Sequence, residues 1–300
     1  MLRDADSAGT APPSDPTRQR MQRARGRAAI AVRRDGSRTR LVDLHQSGCL
    51  KLRMPRVAGE VPEAVLINTA GGLTGGDRGV VEVEAGDGAR LAIATQTAER
   101  LYRASEGHAA LDIRIGAGRG SRVSWLPQET IAFEGSALRR TLRASMDVDA
   151  TLLVAEPLVL GREAMGETIF RCSICDDWHI HAGGRLLHAE ALRLGPDAAR
   201  WTGRAAGWGG ARAGATVLLV GAAAPASLDA ARALIGETGA ADAWPGGDMP
   251  PRLLARLLAP DGFALRRRLV PLLGLLHGAA MDLDCPANGH EATLPRVWAL

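Results

Sequence analysis

Aromatic residues make up only 3% of the 300-residue chain. That scarcity speaks against the stacking platforms used to hold sugars or unpaired bases. Cysteine is sparse as well: Cys49, Cys172, Cys175 and Cys285 are too few for a disulfide framework and suit a reducing, cytoplasmic setting. Long apolar runs are missing. The longest, 215–224, is about half of the roughly 20 residues that a membrane-spanning helix needs. Residues 1–27 are rich in Ser, Ala, Pro, Asp and Arg and contain nothing that could serve as the apolar core of a signal peptide. Neither export nor membrane insertion is expected.

The formal net charge is +4, yet residues 1–40 carry ten Arg against four Asp, so the remainder of the chain nets about −2. The basicity belongs to a tail, read as a disordered basic arm over residues 1–27. No basic stripe interleaved with aromatics follows it, which leaves nucleic-acid binding without support.

What is present is β-type patterning and glycine. Short runs at 29–32, 39–44, 65–68, 80–84, 91–95 and 111–115 are separated by Gly-rich turns, and V-E-V-E at 81–84 and L-D-I-R-I at 111–115 alternate with the period of half-buried strands. An internal repeat sharpens the picture. A-G-D-G-A-R-L-A-I-A-T-Q at 85–96 aligns with A-G-R-G-S-R-V-S-W-L-P-Q at 117–128, an offset of 32 residues. Weaker copies follow at 149–156 and 183–190, offset by 29 and 34. Repeats that cannot bury a face alone stack on their neighbours, so a mainly β, helicoidal, solenoid-like body of stacked sheets is predicted. Stacking would gather Thr95, Gln96, Gln128, Glu129, Glu156 and Glu190 at one edge. Taken singly, each could equally be a strand-end residue facing solvent.

After residue 220 the spacing turns helical, so a few helices are expected over about 225–280, within a single β-rich domain spanning 28–300. Ser227 can cap a helix over 228–235 that Gly236 stops. A second is expected from Pro250–Pro251 to 260, and a third from Phe263 to His277 with a kink at Pro271. The third is apolar enough to be core or a docking face.

The Gly-rich segment at 71–77 invites a phosphate-loop reading. Asp77 and Arg78 stand where a P-loop needs Lys and then Ser or Thr, which excludes it. No nucleophile elbow or cysteine nucleophile context occurs, and no catalytic residues are assigned. Cys172 and Cys175 form C-x-x-C, followed by Asp176, Asp177, His179 and His181, a set able to bind a borderline transition metal or simply two thiols near a polar strand.

N-T-A-G-G-L-T-G-G-D-R at 68–78, T-Q-T-A-E-R-L-Y-R at 95–103, W-L-P-Q-E-T-I at 125–131, L-V-A-E-P-L-V-L-G-R-E-A-M-G-E at 153–167, R-L-L-H-A-E at 185–190 and P-R-V-W at 295–298 together resemble, in order and spacing, the signatures of the UreD (UreH) urease accessory proteins. The resemblance implies a non-enzymatic nickel-insertion scaffold of the cytoplasm, without a permanently bound cofactor but with transient Ni²⁺. Implied partners are UreF, the GTPase UreG, the apo-urease subunits and, indirectly, UreE. It also implies a water-lined internal path, along which Thr74, Asp77, Glu129, Glu156 and Glu167 are placed by position. Cys172, Cys175 and His179 depart from the family pattern and stand as a private metal set. The rival expectation is a β-solenoid enzyme acting on an extended polymer through carboxylates along an outer groove.

Overall fold

A computed structural model describes residues 22–56, 61–162, 165–283 and 294–298. The chain opens with a hairpin, β1 (Arg25–Asp35) and β2 (Arg38–Gly48), followed by β3 (Leu50–Arg53). It then winds, each coil giving one strand to each of two sheets. The first coil is β4 (Glu63–Asn68) and β5 (Arg78–Ala85); the second is β6 (Arg90–Thr95), short β7 (Glu99–Leu101) and β8 (Ala109–Ala117). The third is β9 (Arg122–Leu126), short β10 (Thr130–Ala132) and β11 (Ser136–Met146), and the fourth is β12 (Thr151–Leu160) and β13 (Cys172–Ala182). β14 (Arg185–Leu194), α1 (Ala198–Thr202), β15 (Ala213–Val220), α2 (Leu228–Ile235), β16 (Gly239–Trp244), β17 (Arg252–Ala259) and α3 (Gly262–Met281) complete it.

One sheet runs β14-β13-β11-β8-β5-β1-β2 and the other β16-β17-β15-β12-β9-β6-β4-β3. The strands of successive coils are parallel, as a continuing helicoid requires. Arg90 pairs with Arg122 and Arg122 with Thr151, so the repeat offsets of 32 and 29 residues are the coil lengths. The fourth sequence copy differs. Gly183 and Gly184, both at positive φ (54° and 76°), close a tight turn that sends β14 back antiparallel along β13, in the opposite sheet from β12.

Alternating residues of both sheets fill the space between them: Val81, Val83, Ile113, Ile115, Leu142, Trp178 and Ile180 from one side meet Leu91, Ile93, Val123, Leu152 and Val154 from the other. The outer face of the second sheet is covered in turn by α2 and α3, where Leu265, Leu269, Leu272, Leu273 and Leu276 pack on Leu153, Val217, Leu219, Leu253 and Leu257. β12 is therefore buried on both faces. The apolar side of α3 is core rather than a free face.

α2 has the expected span and ends at Gly236 with φ 56°, but Ser227 does not cap it with its side chain: the hydroxyl donates back to the Ala223 carbonyl at 2.9 Å. The expected second helix is instead strand β17, because 252–259 is held between β15 and β16 with alternating burial. α3 runs unbroken for 20 residues through Pro271. Its N-cap Asp261 accepts a hydrogen bond from the Ala264 amide at 2.7 Å, so Asp261→Ala should cost about 0.5–2 kcal/mol in chemical denaturation. Most of the expected basic arm lies outside the described residues, and β1 already begins at Arg25. Cys285 lies outside them too. Among the described residues no helix is long and apolar enough to cross a membrane.

Candidate functional site

In an otherwise apolar inter-sheet layer, three charged side chains converge. β12 alternates so that Glu156 follows Leu152 and Val154 into the gap between the sheets, with 5% of its surface exposed. From the facing sheet, Arg140 of β11 and Asp176 of β13 sit side by side in register, 5% and 4% exposed. Arg140 donates from Nε to Asp176 Oδ1 at 3.1 Å and from Nη2 to Oδ2 at 2.6 Å, and its Nη1 is paired with Glu156. The Trp125 indole donates to Glu156 Oε1 at 2.9 Å, and Thr130 Oγ1 accepts from Arg140 Nη1 at 3.3 Å. Buried charges survive only when paired in this way.

The cluster walls an internal cavity of about 130 Å³, room for several waters. Asn68, Thr95, Gln128 and Glu99 also line it, and Gly71, Gln96 and Thr97 reach the surface at its rim. Glu99, at the start of β7, accepts from Asn68 Nδ2 at 3.1 and 3.2 Å. On the far side a second cavity of about 350 Å³ is lined by Glu156 again, with Glu190, Thr216, Trp208 and Arg256. Glu156 is thus the wall common to both.

Burial pushes the Glu99 carboxyl up to about 7 against the opposing pull of the Asn68 amide. Burial likewise raises Glu156; Arg140 pulls it down while Asp176 pushes it further up. Burial alone would lower Arg140, but Asp176 and Glu156 hold its affinity for the proton raised. A carboxyl raised on folding contributes stability that is present below about pH 4.5 and lost as pH climbs through about 7. Glu99→Gln should therefore match the wild type at pH 4 and exceed its stability at pH 8 by on the order of 2 kcal/mol, the part-exposed position discounted. Denaturant midpoints at the two pH values check this.

Among the residues expected along the path, only Glu156 reaches these cavities. Asp77, 4% exposed, braces the glycine turn by accepting from the Ala24 and Thr74 amides at 2.7 and 2.8 Å. Thr74 Oγ1 donates to the Arg103 carbonyl at 2.8 Å. Glu129 faces α3 and is paired with Arg266 at 2.8 Å. Glu167 pairs with Arg162 at 2.9 Å near the surface and accepts from the Glu134 and Arg162 amides. The glycine segment does serve the site, since Gly71, Gly72 and Leu73 line the first cavity. A side chain at Gly72 would strike the Tyr102 ring at 2.3 Å and the Arg100 carbonyl at 2.7 Å.

The private metal set is not brought together. A spacing of three along a strand puts Cys172 inside and Cys175 on the outer face, where Asp177 and His179 also lie. Burial pushes the Cys172 thiol up to about 12, and Asp176 is taken by Arg140. Among the described residues no three His, Cys, Asp or Glu side chains are grouped to hold a metal ion.

Sequence alone gives Glu99 and Arg140 no place at the cavity and Asp176 none behind Arg140. Arg140 and Asp176 carried a readable sign: both occupy the apolar phase of alternating strands, between Leu138 and Leu142 and between Ile174 and Trp178. Glu99 carried none beyond its place in 95–103.

Fold and interior define a helicoidal β-protein that turns Glu156 and Glu99 inward to a cavity between its sheets, opening at a rim, rather than outward to a substrate groove, which disfavours the polymer-acting enzyme. The UreD urease accessory protein family matches residues 24–299, and the chain belongs to that family. It is similar to urease accessory protein UreD 1 of Brucella anthropi, 43% identical over 281 residues covering 92% of this chain and 95% of that protein. UreD of Brucella suis is 44% identical over 280 residues (93% and 96%), and UreD of Agrobacterium fabrum is 41% identical over 281 residues (94% and 93%). The resemblance carried by the motifs is borne out, and with it the accessory rather than enzymatic role.

Proposed function

We propose that this chain is the urease-contacting scaffold of a cytoplasmic nickel-insertion assembly. In it UreF and the GTPase UreG join the chain on apo-urease, UreE supplies nickel upstream, and Ni²⁺ crosses between the two sheets by way of Glu156. The observation that carries this reading is the pair of cavities meeting at one buried carboxylate. Oxygen donors suit a cargo ion, because carboxylates, amides and hydroxyls hold a borderline divalent cation less firmly than thiolates do. Glu99 and Asn68 near the rim form the entry, Thr95, Gln128 and Thr130 line the way, and Glu190 stands beyond. The ion is substrate here, not a resident cofactor.

Glu156→Ala tests it. Urease activation should fall by about ten- to a hundredfold while the complex with UreF still assembles, because the carboxylate shared by the two cavities is lost. Wild-type activation by the variant would overturn the reading.

A further inference from the structure

Arg140 is the unexpected member of this interior: a guanidinium standing where, on the passage reading, a divalent cation must go. Its fork is fixed from behind, Nε and Nη2 both on Asp176, a residue that lines neither cavity. Only Nη1 extends to Glu156, and that nitrogen has Thr130 Oγ1 at 3.3 Å as a second acceptor. Glu156 Oε1 is held by the Trp125 indole. A single oxygen, Oε2, is therefore contested between Arg140 and an incoming ion.

We infer that Arg140 is a tethered counter-cation: it holds Glu156 at rest, yields Oε2 to a passing divalent ion by shifting Nη1 to Thr130, and retakes Glu156 so that the ion moves on. The bidentate fork on Asp176 makes this possible, since displacement breaks one contact and leaves two. With the guanidinium still a few ångströms away, the ion on Glu156 is repelled by a fixed positive charge in a poorly screened interior, which shortens its stay. This role rests on the passage reading, and it makes Arg140 a positioning residue rather than a ligand.

The test uses the full chain co-purified with UreF, with Ni²⁺ alone as probe. Arg140→Gln should gain one retained nickel per chain, bound about tenfold or more tightly than by the wild type, and nickel should raise its Tm. Adding Glu156→Gln to that variant should abolish the gain. A folded Arg140→Gln protein that binds nickel no better than the wild type overturns the proposal. Asp176→Asn provides a second arm that leaves a one-to-one Arg140–Glu156 pair. Deprived of its anchor, Arg140 should stay on Glu156, and urease activation should fall about tenfold or more although Asp176 touches neither cavity. Wild-type activation by Asp176→Asn overturns the proposal equally. If Glu156→Ala abolishes activation while both variants behave as wild type, the passage stands and only the role of Arg140 is lost.

Discussion

Replacing Arg140, Glu156 and Asp176 together by leucine should leave the protein as stable as the wild type, or more stable by about 1–4 kcal/mol, whereas Arg140→Leu alone should cost about 3–5 kcal/mol. The two outcomes follow from one ledger. Each charge loses its hydration on entering the inter-sheet layer, and only mutual pairing offsets that loss. Removing the guanidinium strands two carboxylates at 5% and 4% exposure. Removing all three leaves a layer flanked by Val154, Leu138, Leu142, Ile174 and Trp178, into which leucine packs by the same alternation that fills the rest of the sandwich. Urea or guanidinium unfolding of the two variants measures the difference. A triple variant as unstable as the single one would mean that the cluster is a structural keystone rather than a feature kept for function.

The second large effect belongs to Arg266 on α3. Its Nη1 donates to Gln128 Oε1 at 2.7 Å and to Glu129 Oε1 at 2.8 Å, and its guanidinium lies 5.0 Å from the centre of the Trp298 ring. Gln128 in turn donates to the Val297 carbonyl at 2.9 Å, and the Trp298 indole donates to the Leu126 carbonyl at 2.9 Å. The helix, the third coil and the segment at 294–298 are thus pinned at one point, beside a wall of the first cavity. Arg266→Ala leaves Glu129, 6% exposed, without its partner and frees Trp298, 2% exposed, from one side. A loss of about 2–4 kcal/mol is expected, with faster tryptic cleavage at Arg296. Arg266→Lys should recover part of it, because an ammonium restores the charge but not the planar fork.

The stacked body was legible because its coil length is written in the chain as recurring turn-and-strand strings, and register follows from them directly. The string at 183–190 looked like a fourth copy for the same reason. What distinguishes it is the Gly183–Gly184 turn, which returns the strand to its own sheet. Local composition favours a helix over β17, since L-L-A-R-L-L-A follows two prolines; pairing with β15 and β16 on both edges outweighs that preference. The site was legible in part: of the residues that stacking gathers, Thr95, Gln96 and Gln128 line the first cavity, Glu190 the second and Glu156 both, whereas Glu129 faces α3. Asp77, Glu129 and Thr74 stand near the glycine turn or the cavity wall in sequence, but which face of the backbone each leaves from is settled only by the turn geometry and by α3 arriving from more than a hundred residues away. Arg140 and Asp176 were hidden differently. Each stands out in its own string as a charge in the apolar phase, but its partner is known only once the parallel register of β11 and β13 sets the two side by side, opposite β12.

The most direct test of the passage is the nickel content of urease matured in cells with the triple-leucine variant in place of the wild-type chain. The three substituted residues are 4–5% exposed, so the outer surfaces should be unchanged and the assembly should still form, and the urease it yields should be nearly free of nickel and inactive. Urease with its full complement of nickel would show that the ion does not travel by way of Glu156.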